Sequence, residues 1–341
     1  MRNGGITMKW GIMATGSIAQ KFASTVNRMT DEGEILQAVA SRTKESAENF
    51  ARQHRIPEVF DSYKAMAESD SVDVIYIATP NNMHYENVKM CLLAGKHVLC
   101  EKPFTTSAAQ AQELYALAEE KGLFLMEGFW IRFLPVLQKM QELIKEGKLG
   151  EIRYIRSEYG FVAKGDRKVR KFNPQLGGGA LLDIGIYNLG FLNMIMGKNP
   201  DSFTSDVHMT DVGTDDFSVI HLHYSQENGQ GAEAVVTTAI GLDIQRKAAV
   251  IGTKGSIYLD DFQKAETMTV SLSDGEEYEI EIPFEINGFE YQIREASNCI
   301  REGRTHSGIY TPQMSLQTLS LIDDIRASWD MKFPFEKNKI Q

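Results

Sequence analysis

Short apolar runs and longer segments with helical spacing alternate through the first 126 residues, and this alternation restricts the fold more than any other feature of the chain. Strands are predicted at residues 9–13, 35–40, 72–78, 97–100 and 123–126. Helices are predicted between them, at residues 17–29, 44–54, 85–94 and 107–121. Strands that alternate with helices of this length favour a parallel sheet joined by right-handed crossovers. The first part of the chain is therefore predicted to be an α/β domain.

The pattern changes after residue 126. Between residues 218 and 282 the apolar positions alternate with period 2 and are interrupted by turn residues, which indicates a mostly antiparallel sheet. A strand at 152–161 and helices at 136–145, 179–196, 289–301 and 313–329 complete the second pattern. We therefore predict two domains: residues 1–126 with a parallel sheet, and residues 127–341 with an α+β fold.

Composition narrows the partners and the compartment. A net charge of −10 argues against a nucleic-acid surface, which normally needs a basic face. The three cysteines are too few and too scattered for a disulfide framework or a zinc motif. No apolar stretch is expected to reach the length of a membrane span. The predicted location is a reducing cytoplasm, with neither nucleic acid nor membrane as a partner.

The turn between the first strand and the first helix resembles a dinucleotide-binding fingerprint. Ala14, Gly16 and Ala19 occupy its three small-residue places, so the first glycine is missing. The helix that follows presents free N–H groups, which favour an anion. The predicted pyrophosphate site consists of Ala14, Thr15, Gly16, Ser17 and Ile18. The alternative is an ordinary strand–helix turn.

The end of the second strand bears on the choice of nucleotide. NAD-selective versions place an acid here for the ribose 2′-hydroxyl, whereas an arginine accommodates a 2′-phosphate. This chain has Ser41 and Arg42 and no acid before Lys44. NADP is therefore predicted, with NAD left open. The alternative is a pair of solvated basic residues at a helix N-terminus.

Lys102 follows the apolar strand that begins at His97 and precedes Pro103. Ligands of open α/β sheets bind beyond the carboxyl ends of the strands, so this lysine is expected beside the nicotinamide. Oxidation of an alcohol needs a proton acceptor with a pKa near the working pH, and burial or a nearby positive charge lowers the pKa of a lysine. Lys102 is predicted to be the acid/base group. The alternative is a surface lysine before a loop proline.

Asp183 and Tyr187 are four residues apart on the helix that opens after Gly177-Gly178-Gly179, so they share one helix face. On spacing alone, Tyr187 would be a core aromatic residue of this helix. The basic segment 164–171 is expected to border the pocket as a solvated charge run. His221 and His223 are expected to be sheet-surface histidines, since no carboxylate or cysteine is spaced to complete a metal site. No metal is predicted.

Several motifs together resemble the Gfo/Idh/MocA oxidoreductase family (glucose–fructose oxidoreductase, inositol dehydrogenase and rhizopine catabolism), in particular its dihydrodiol dehydrogenase branch. The motifs are the Gly11–Ala19 turn, Thr79-Pro80-Asn81-Asn82-Met83-His84, Glu101-Lys102-Pro103, the 127–133 segment with Trp130-Ile131-Arg132-Phe133, and the 177–187 segment. The resemblance implies a Rossmann domain followed by a domain with an open sheet, whose outer face forms a homodimer or a dimer of dimers.

The same resemblance implies the remaining site residues. Those expected along the nucleotide are Thr79, Pro80, Asn81, Asn82, His84, Glu101, Lys102 and Arg132. Arg132 is expected to reach either the cofactor or the substrate, and the Lys102–Pro103 peptide is expected to be cis. Many members of the family have a histidine where this chain has Tyr187. The division of proton transfer between Lys102 and Tyr187 is therefore left open.

These residues predict an NADP-dependent oxidoreductase, and the resemblance implies that it transfers hydride to or from a sugar, a polyol or a cyclic diol. Lys102, Asp183 and Tyr187 are the predicted catalytic residues. Two alternatives remain at this point: an oxidoreductase whose nucleotide does not dissociate, and a catalytically silent, nucleotide-sensing regulator on the same fold. A sensor needs the Gly16 turn but no proton relay, so the three catalytic candidates favour an enzyme.

Overall fold

In the computed structural model, which describes residues 7–225 and 231–339, six parallel strands form the first sheet, in the order β3-β2-β1-β4-β5-β6. The strands are β1 Met8–Met13, β2 Glu34–Ala40, β3 Glu58–Phe60, β4 Val74–Ile77, β5 His97–Glu101 and β6 Leu125–Gly128. The helices between them are α1 Ser17–Val26, α2 Lys44–His54, α3 Tyr63–Ala67, α4 His84–Leu93 and α5 Ala108–Lys121. The α/β prediction is confirmed.

The strand order reverses between β1 and β4. The chain winds from β1 outward to β3, then returns so that β4 pairs with β1 on the other side. Ligands of doubly wound sheets bind at such a switch point, beyond the carboxyl ends of the strands. The loops that follow β1, β4 and β5 therefore share one edge of the sheet. These loops carry Gly16, Thr79 and Lys102.

Within the same described ranges, eight strands form the second sheet, in the order β14-β13-β12-β11-β7-β10-β9-β8. Its strands are β7 Ile152–Phe161, β8 Ser202–Met209, β9 Asp215–Tyr224, β10 Ala232–Ile240, β11 Ala248–Gly252, β12 Gly255–Leu259, β13 Thr267–Leu272 and β14 Glu277–Glu281. The helices after β6 along the chain are α6 Pro135–Lys145, α7 Asp166–Phe172, α8 Ile186–Met196, α9 Glu290–Arg301 and α10 Pro312–Ser328. β7 and β10 are parallel and their other neighbours antiparallel, so the mostly antiparallel sheet is confirmed.

The described chain divides into two units that are each built from several segments. The first comprises Met1–Thr105, Ala109–Trp130 and Glu285–Pro312, and the second comprises Thr106–Ala108, Ile131–Phe284 and Gln313–Gln341. The boundaries of these two units therefore do not coincide with one cut of the chain after residue 126. The functional division into residues 1–126 and 127–341 stays a prediction.

A buried carboxylate explains why the segment that contains α9 joins the first unit. Glu34 at the start of β2 is buried and accepts hydrogen bonds from Trp10 Nε1 and Ser297 Oγ, both at 2.7 Å. Arg301 Nη2 lies 2.7 Å from its other oxygen. A buried charge is costly unless it is paired and hydrogen-bonded, so α9 is needed to satisfy Glu34.

Four elements were not predicted: β3, α3, β8 and α7, the last within the segment 164–171 that the sequence predicts as a solvated charge run. β3 and α3 are only three and five residues long. β8 is an edge strand in which exposed and half-buried positions alternate, and it contains Ser202, Thr204, Ser205 and Asp206. Because one row of its side chains faces solvent, it lacks the apolar alternation that identified the other strands of this sheet.

The helical segment Pro174–Met196 contradicts one expectation about membranes. Its most apolar 18-residue window has a mean hydropathy of 1.3, and the 23-residue segment is long and apolar enough to cross a membrane by length and composition alone. The expectation that no stretch reaches this length was therefore wrong. However, 89% of its most apolar window is buried inside the structure, as in the core helix of a globular domain.

Candidate active site

The turn after β1 leaves the start of α1 open. Ala14, in the place of the missing first glycine, has a φ of 81°, a left-handed conformation that few residues other than glycine adopt. Gly16 precedes α1, whose described first turn has neither an acidic residue nor a side-chain cap. A Cβ on Gly16 would meet no described atom within 4 Å. The first N–H groups of α1, which have no partner within the helix, and the space above Gly16 fit a pyrophosphate.

Ser41 and Arg42 follow β2, as predicted, at the same edge of the sheet. Ser41 is buried, and its Oγ lies 3.5 Å from Oγ1 of Thr15, so this residue is next to the β1 turn. Arg42 is exposed. Thr43 then caps α2 by accepting a hydrogen bond from the Ser46 N–H. A hydroxyl and a guanidinium at this position fit a ribose 2′-phosphate better than a bare diol.

The loop after β4 holds one polar atom that lacks a partner. Asn82 lies in a 3₁₀ turn that follows Pro80, beside Asn81. Its Oδ1 is buried and has no hydrogen-bond partner among the residues that the structure describes. Thr79 is also buried, and its Oγ1 accepts a hydrogen bond of 3.0 Å from Nδ2 of Asn87. An unsatisfied amide oxygen in this loop fits a site completed by a ligand with hydroxyl groups.

His84 links this loop to the segment after Lys102. Its Nε2 lies 2.8 Å from the carbonyl oxygen of Thr79, and its Nδ1 lies 2.8 Å from that of Pro103. The ring is buried, and burial lowers the pKa of His84. Because its nitrogens face backbone groups, His84 joins the loops that follow β4 and β5. Its predicted contact with the nucleotide stays a prediction.

The segment after β5 is held from several sides. The Lys102–Pro103 peptide bond is cis, as the resemblance implied. The Phe104 N–H donates to Oε1 of buried Glu127 at 3.0 Å, and the Tyr310 hydroxyl donates to Oε2 of the same carboxylate at 2.9 Å. The backbone around Lys102 is therefore fixed by hydrogen bonds on its carboxyl-terminal side.

Glu101 is the buried acid beside Lys102. Its Oε1 accepts a hydrogen bond of 2.5 Å from the Tyr76 hydroxyl, and its Oε2 lies 3.3 Å from the Lys102 N–H. Only 6% of the residue is exposed. Burial raises the pKa of Glu101 to about 7, against the opposing effects of the Tyr76 hydrogen bond and of Lys102. An acid that titrates near neutrality next to a lysine is typical of proton-transfer sites.

Glu101→Gln is expected to change how the stability of the ligand-free protein depends on pH. The folded protein holds the Glu101 proton more tightly than the unfolded chain, so this group's contribution to stability is complete below pH 4.5 and is lost as the pH rises to about 7. The loss amounts to about 3 kcal/mol. Relative to wild type, Glu101→Gln should therefore gain stability between pH 5 and pH 8, as measured by urea unfolding.

Glu120→Gln is the matched control, since Glu120 is exposed on α5. Its free energy of unfolding relative to wild type should be the same at both pH values. If the free energy of unfolding of Glu101→Gln relative to wild type were also the same at pH 5 and pH 8, the raised pKa of Glu101 would be contradicted.

In the second unit, Asp183 belongs to a π-helical segment, Leu181–Gly185, that leads into α8. Its Oδ2 forms an ion pair with Nζ of Lys171 on α7. A Cβ on Gly178 would lie 2.6 Å from the Lys171 carbonyl oxygen, so glycine is required for the two segments to approach. The Gly179 N–H donates to that same oxygen at 2.8 Å. Lys171 is therefore held against Asp183 by its backbone as well as by its charge.

Tyr187 is the second residue of α8, four positions after Asp183. It is 5% exposed, and its ring centre lies 6.0 Å from that of Tyr159. Tyr159 in turn packs 6.3 Å from Phe161. Arg132 also lies in the second unit, where it is buried with its Nη2 3.6 Å from the Met314 sulfur. The aromatic wall beside Tyr187 can contact the C–H face of a ring-shaped substrate.

The histidines on β9 have a partner that spacing along the chain did not reveal. Glu233 on β10 lies 3.2 Å from Nε2 of His221 and 2.7 Å from Nδ1 of His223. The carboxylate is supplied by the neighbouring strand, so it was invisible in the local sequence. Among the described residues, no group of three or more histidine, cysteine, aspartate or glutamate side chains is arranged to hold a metal ion.

Two residues that the sequence did not single out contact predicted site residues in the structure. Lys171 was treated as part of a solvated charge run, although it pairs with Asp183. Tyr76 was treated only as part of a strand, although it holds Glu101. Neither partner was detectable from the sequence, because the contacts join residues 12 and 25 positions apart. The structure groups Ala14 to Ile18, Ser41, Thr79, His84, Glu101 and Lys102 in the first unit, and Arg132, Lys171, Asp183 and Tyr187 in the second.

Two family models match the chain. The model described as "Oxidoreductase family, NAD-binding Rossmann fold" covers residues 8–129, and the "GFO/IDH/MocA C-terminal domain" covers residues 137–258. A curated relative, the trans-1,2-dihydrobenzene-1,2-diol dehydrogenase of Xenopus tropicalis, is 33% identical over 336 residues. That alignment covers 96% of this chain and 99% of the relative.

Solved structures match over nearly the whole chain as well. The aldose-aldose oxidoreductase from Caulobacter crescentus, complexed with glycerol, has 27% identity and a TM-score of 0.83, covering 96% of this chain and 98% of its own. The 3-ketoreductase KijD10 from Actinomadura kijaniata, in complex with NADP and TDP-benzene, has 26% identity and a TM-score of 0.83, with coverages of 94% and 97%.

Proposed function

Because this chain belongs to the Gfo/Idh/MocA oxidoreductase family, we propose that it is an NADP-dependent enzyme that transfers hydride to or from a carbon bearing a hydroxyl or carbonyl group. The substrate class is a sugar, a polyol or a cyclic diol. The family resemblance drawn from the motifs is confirmed by these matches. Two of the named relatives are a dihydrobenzene-diol dehydrogenase and an aldose-aldose oxidoreductase, and this supports the substrate class.

The observation that carries the proposal is the position of Lys102. It follows β5 at the carboxyl edge of the sheet where the open α1 turn and the unsatisfied Asn82 oxygen also lie. The buried acid beside it is held by Tyr76. A nucleotide site with an amine and an acid at its reactive end is what an alcohol dehydrogenase needs.

Bound NADP would supply hydride transfer to or from the alcohol or carbonyl carbon, and Ser17, Ile18, Ser41 and Arg42 would hold it. Lys102 Nζ takes the hydroxyl proton during oxidation and gives it back during reduction. Asp183 accepts a hydrogen bond from a substrate hydroxyl, and Lys171 favours its charged form through their ion pair. Tyr187 donates a hydrogen bond to the reacting oxygen.

Arg42→Ala tests the choice of NADP over NAD. A hydrogen bond to a charged group contributes about 1.5–3 kcal/mol, so the Kd for NADP should rise by about 10- to 100-fold while that for NAD changes little. Isothermal titration with both nucleotides measures the two values. Lys64→Ala is the control, since Lys64 is exposed on α3 and pairs with Glu68. A clear preference of the wild type for NAD would contradict the roles proposed for Ser41 and Arg42.

A panel of aldoses, polyols and cyclic diols with NADP⁺ and NAD⁺ tests the function as a whole. Turnover of at least one compound, lost in Lys102→Ala, is the expected result. Absence of turnover with every compound would favour the nucleotide-sensing regulator. Recovery of stoichiometric nucleotide from the purified protein would favour the enzyme that keeps its nucleotide bound and passes hydride between two sugars.

Assembly and location remain proposals that rest on the family. The second sheet offers half-exposed polar and aromatic side chains, such as Arg156, His221 and Tyr258, as a face for a homodimer or a dimer of dimers. Cys91, Cys100 and Cys299 are unpaired and buried, which agrees with a reducing cytoplasm. Residues 1–126 are proposed to bind the nucleotide, and residues 127–341 to bind substrate and form the oligomer.

A further inference from the structure

We propose that Asp215 is a positioning residue whose carboxylate fixes the π-helical segment Leu181–Gly185, and thereby the orientation of Asp183 and Tyr187. The inference rests on the proposed function only in the roles of those two side chains. Asp215 opens β9 and is fully buried, although it is 32 and 28 residues away from them along the chain.

One oxygen of the Asp215 carboxylate makes the contact, and the other is buried without a hydrogen-bond partner among the described residues. Oδ2 accepts a hydrogen bond of 2.6 Å from the N–H of Leu181, the first residue of the π-helical segment. Oδ1 faces Gly179, where an added Cβ would lie only 2.3 Å away. Gly179 also has a φ of 124°, which L side chains rarely adopt. The glycine thus allows the carboxylate to reach the start of the segment.

A carboxylate at this place stabilises the segment for two reasons. The first N–H groups of a helix have no partner within it, and an anion there is favoured by the helix dipole. π-helical turns are rare and need support from outside the helix, and they occur often at functional sites. Asp183 is the third residue of the turn and Tyr187 follows two residues after its end. Loss of the anchor at Leu181 should therefore disturb both.

The raised pKa of Asp215 shows that its charge does not serve the overall stability of the protein. Burial raises the pKa of Asp215 to about 6, while the Leu181 hydrogen bond lowers it. The charged groups that act on it are Asp216, which raises the pKa, and Arg326, which lowers it. The folded state therefore disfavours the charged form at pH 8 relative to the unfolded chain. A neutral side chain at position 215 would therefore make the folded protein more stable at pH 8 than the charged aspartate does.

Asp215→Asn tests the inference, because asparagine has the same shape and can still accept the Leu181 hydrogen bond without the charge. We expect faster hydrogen exchange of the amides of residues 181–187, with unchanged exchange in β1 and β5. The melting temperature at pH 8 should be unchanged or higher. With the best substrate of the panel, kcat should fall at least tenfold, while the Kd for NADP stays within twofold.

A double variant identifies the path of the effect. If Asp215 acts through Tyr187, then Asp215→Asn should lower kcat by less than twofold in a Tyr187→Phe background. Asp216→Asn is the control, since Asp216 is the neighbouring acid and pairs with exposed His208. Asp215→Ala is a second variant that removes the hydrogen bond too and should increase exchange further.

Two results would overturn the inference: unchanged exchange at residues 181–187 in both Asp215 variants, or a loss of kcat that is just as large in an Asp183→Asn/Tyr187→Phe background. Absence of turnover in the wild type, together with faster exchange in Asp215→Asn, would support the positioning contact and refute the proposed function. The exchange measurement needs no substrate, so the two failures are distinguishable.

Discussion

Replacing Lys102 by alanine is expected to lower kcat by roughly 100- to 10,000-fold, the usual contribution of a positioned acid/base group. The backbone should stay in place, because the Phe104 N–H, the Pro103 carbonyl and the Lys102 N–H keep their contacts. Binding of NADP should weaken by about tenfold or less, the size of one hydrogen bond. Steady-state kinetics and nucleotide titration measure the two effects separately.

A lost amine can be supplied from solution. Added methylamine is expected to restore part of the Lys102→Ala activity, and the rescue should grow with pH as the free amine is deprotonated. Lys121→Ala, at an exposed position on α5, is the matched control and should keep full activity. If Lys102→Ala turned over substrate at the wild-type rate, the proposed proton transfer would be wrong.

Tyr187→Phe should give the second-largest loss, roughly 10- to 1,000-fold in kcat. Phenylalanine fills the same space against Tyr159, so the loss would come from the hydroxyl group alone. If Tyr187 only donates a hydrogen bond to the reacting oxygen, the loss should be near tenfold and the pH profile unchanged. If Tyr187 is itself the acid, the loss should approach the upper value and one limb of the profile should disappear.

Tyr159→Phe is the control for packing, since Tyr159 contacts the same aromatic cluster. It should retain activity within about threefold. The Lys102→Ala/Tyr187→Phe double variant shows whether Lys102 and Tyr187 act together. If they act as one unit, the loss of kcat in the double variant should be no larger than the greater single loss. If they contribute independently, the two losses should multiply. A Tyr187→Phe enzyme with wild-type kinetics would remove this residue from the mechanism.

The elements near the candidate site were predictable because their signals are local. The strand–helix alternation, the small residues of the Gly16 turn and the spacing of Asp183 and Tyr187 all lie within short windows of sequence. Ala14 was noted as a departure from the fingerprint, and the structure shows that alanine adopts the left-handed turn in which glycine is usual. The family motifs also indicated the cis Lys102–Pro103 bond, which no local pattern would have shown.

The sequence by itself determined the two sheets and predicted the nucleotide turn and the candidate reactive side chains, since periodicity and motif spacing act over a few residues. Only the tertiary structure decided which partners those side chains have. Tyr76 meets Glu101, Lys171 meets Asp183, and Asp215 meets Leu181, in each case from a different element. Burial and hydrogen bonding set the pKa of a group, and both depend on residues far away in the chain. The proton chemistry of this site is therefore a property of the fold.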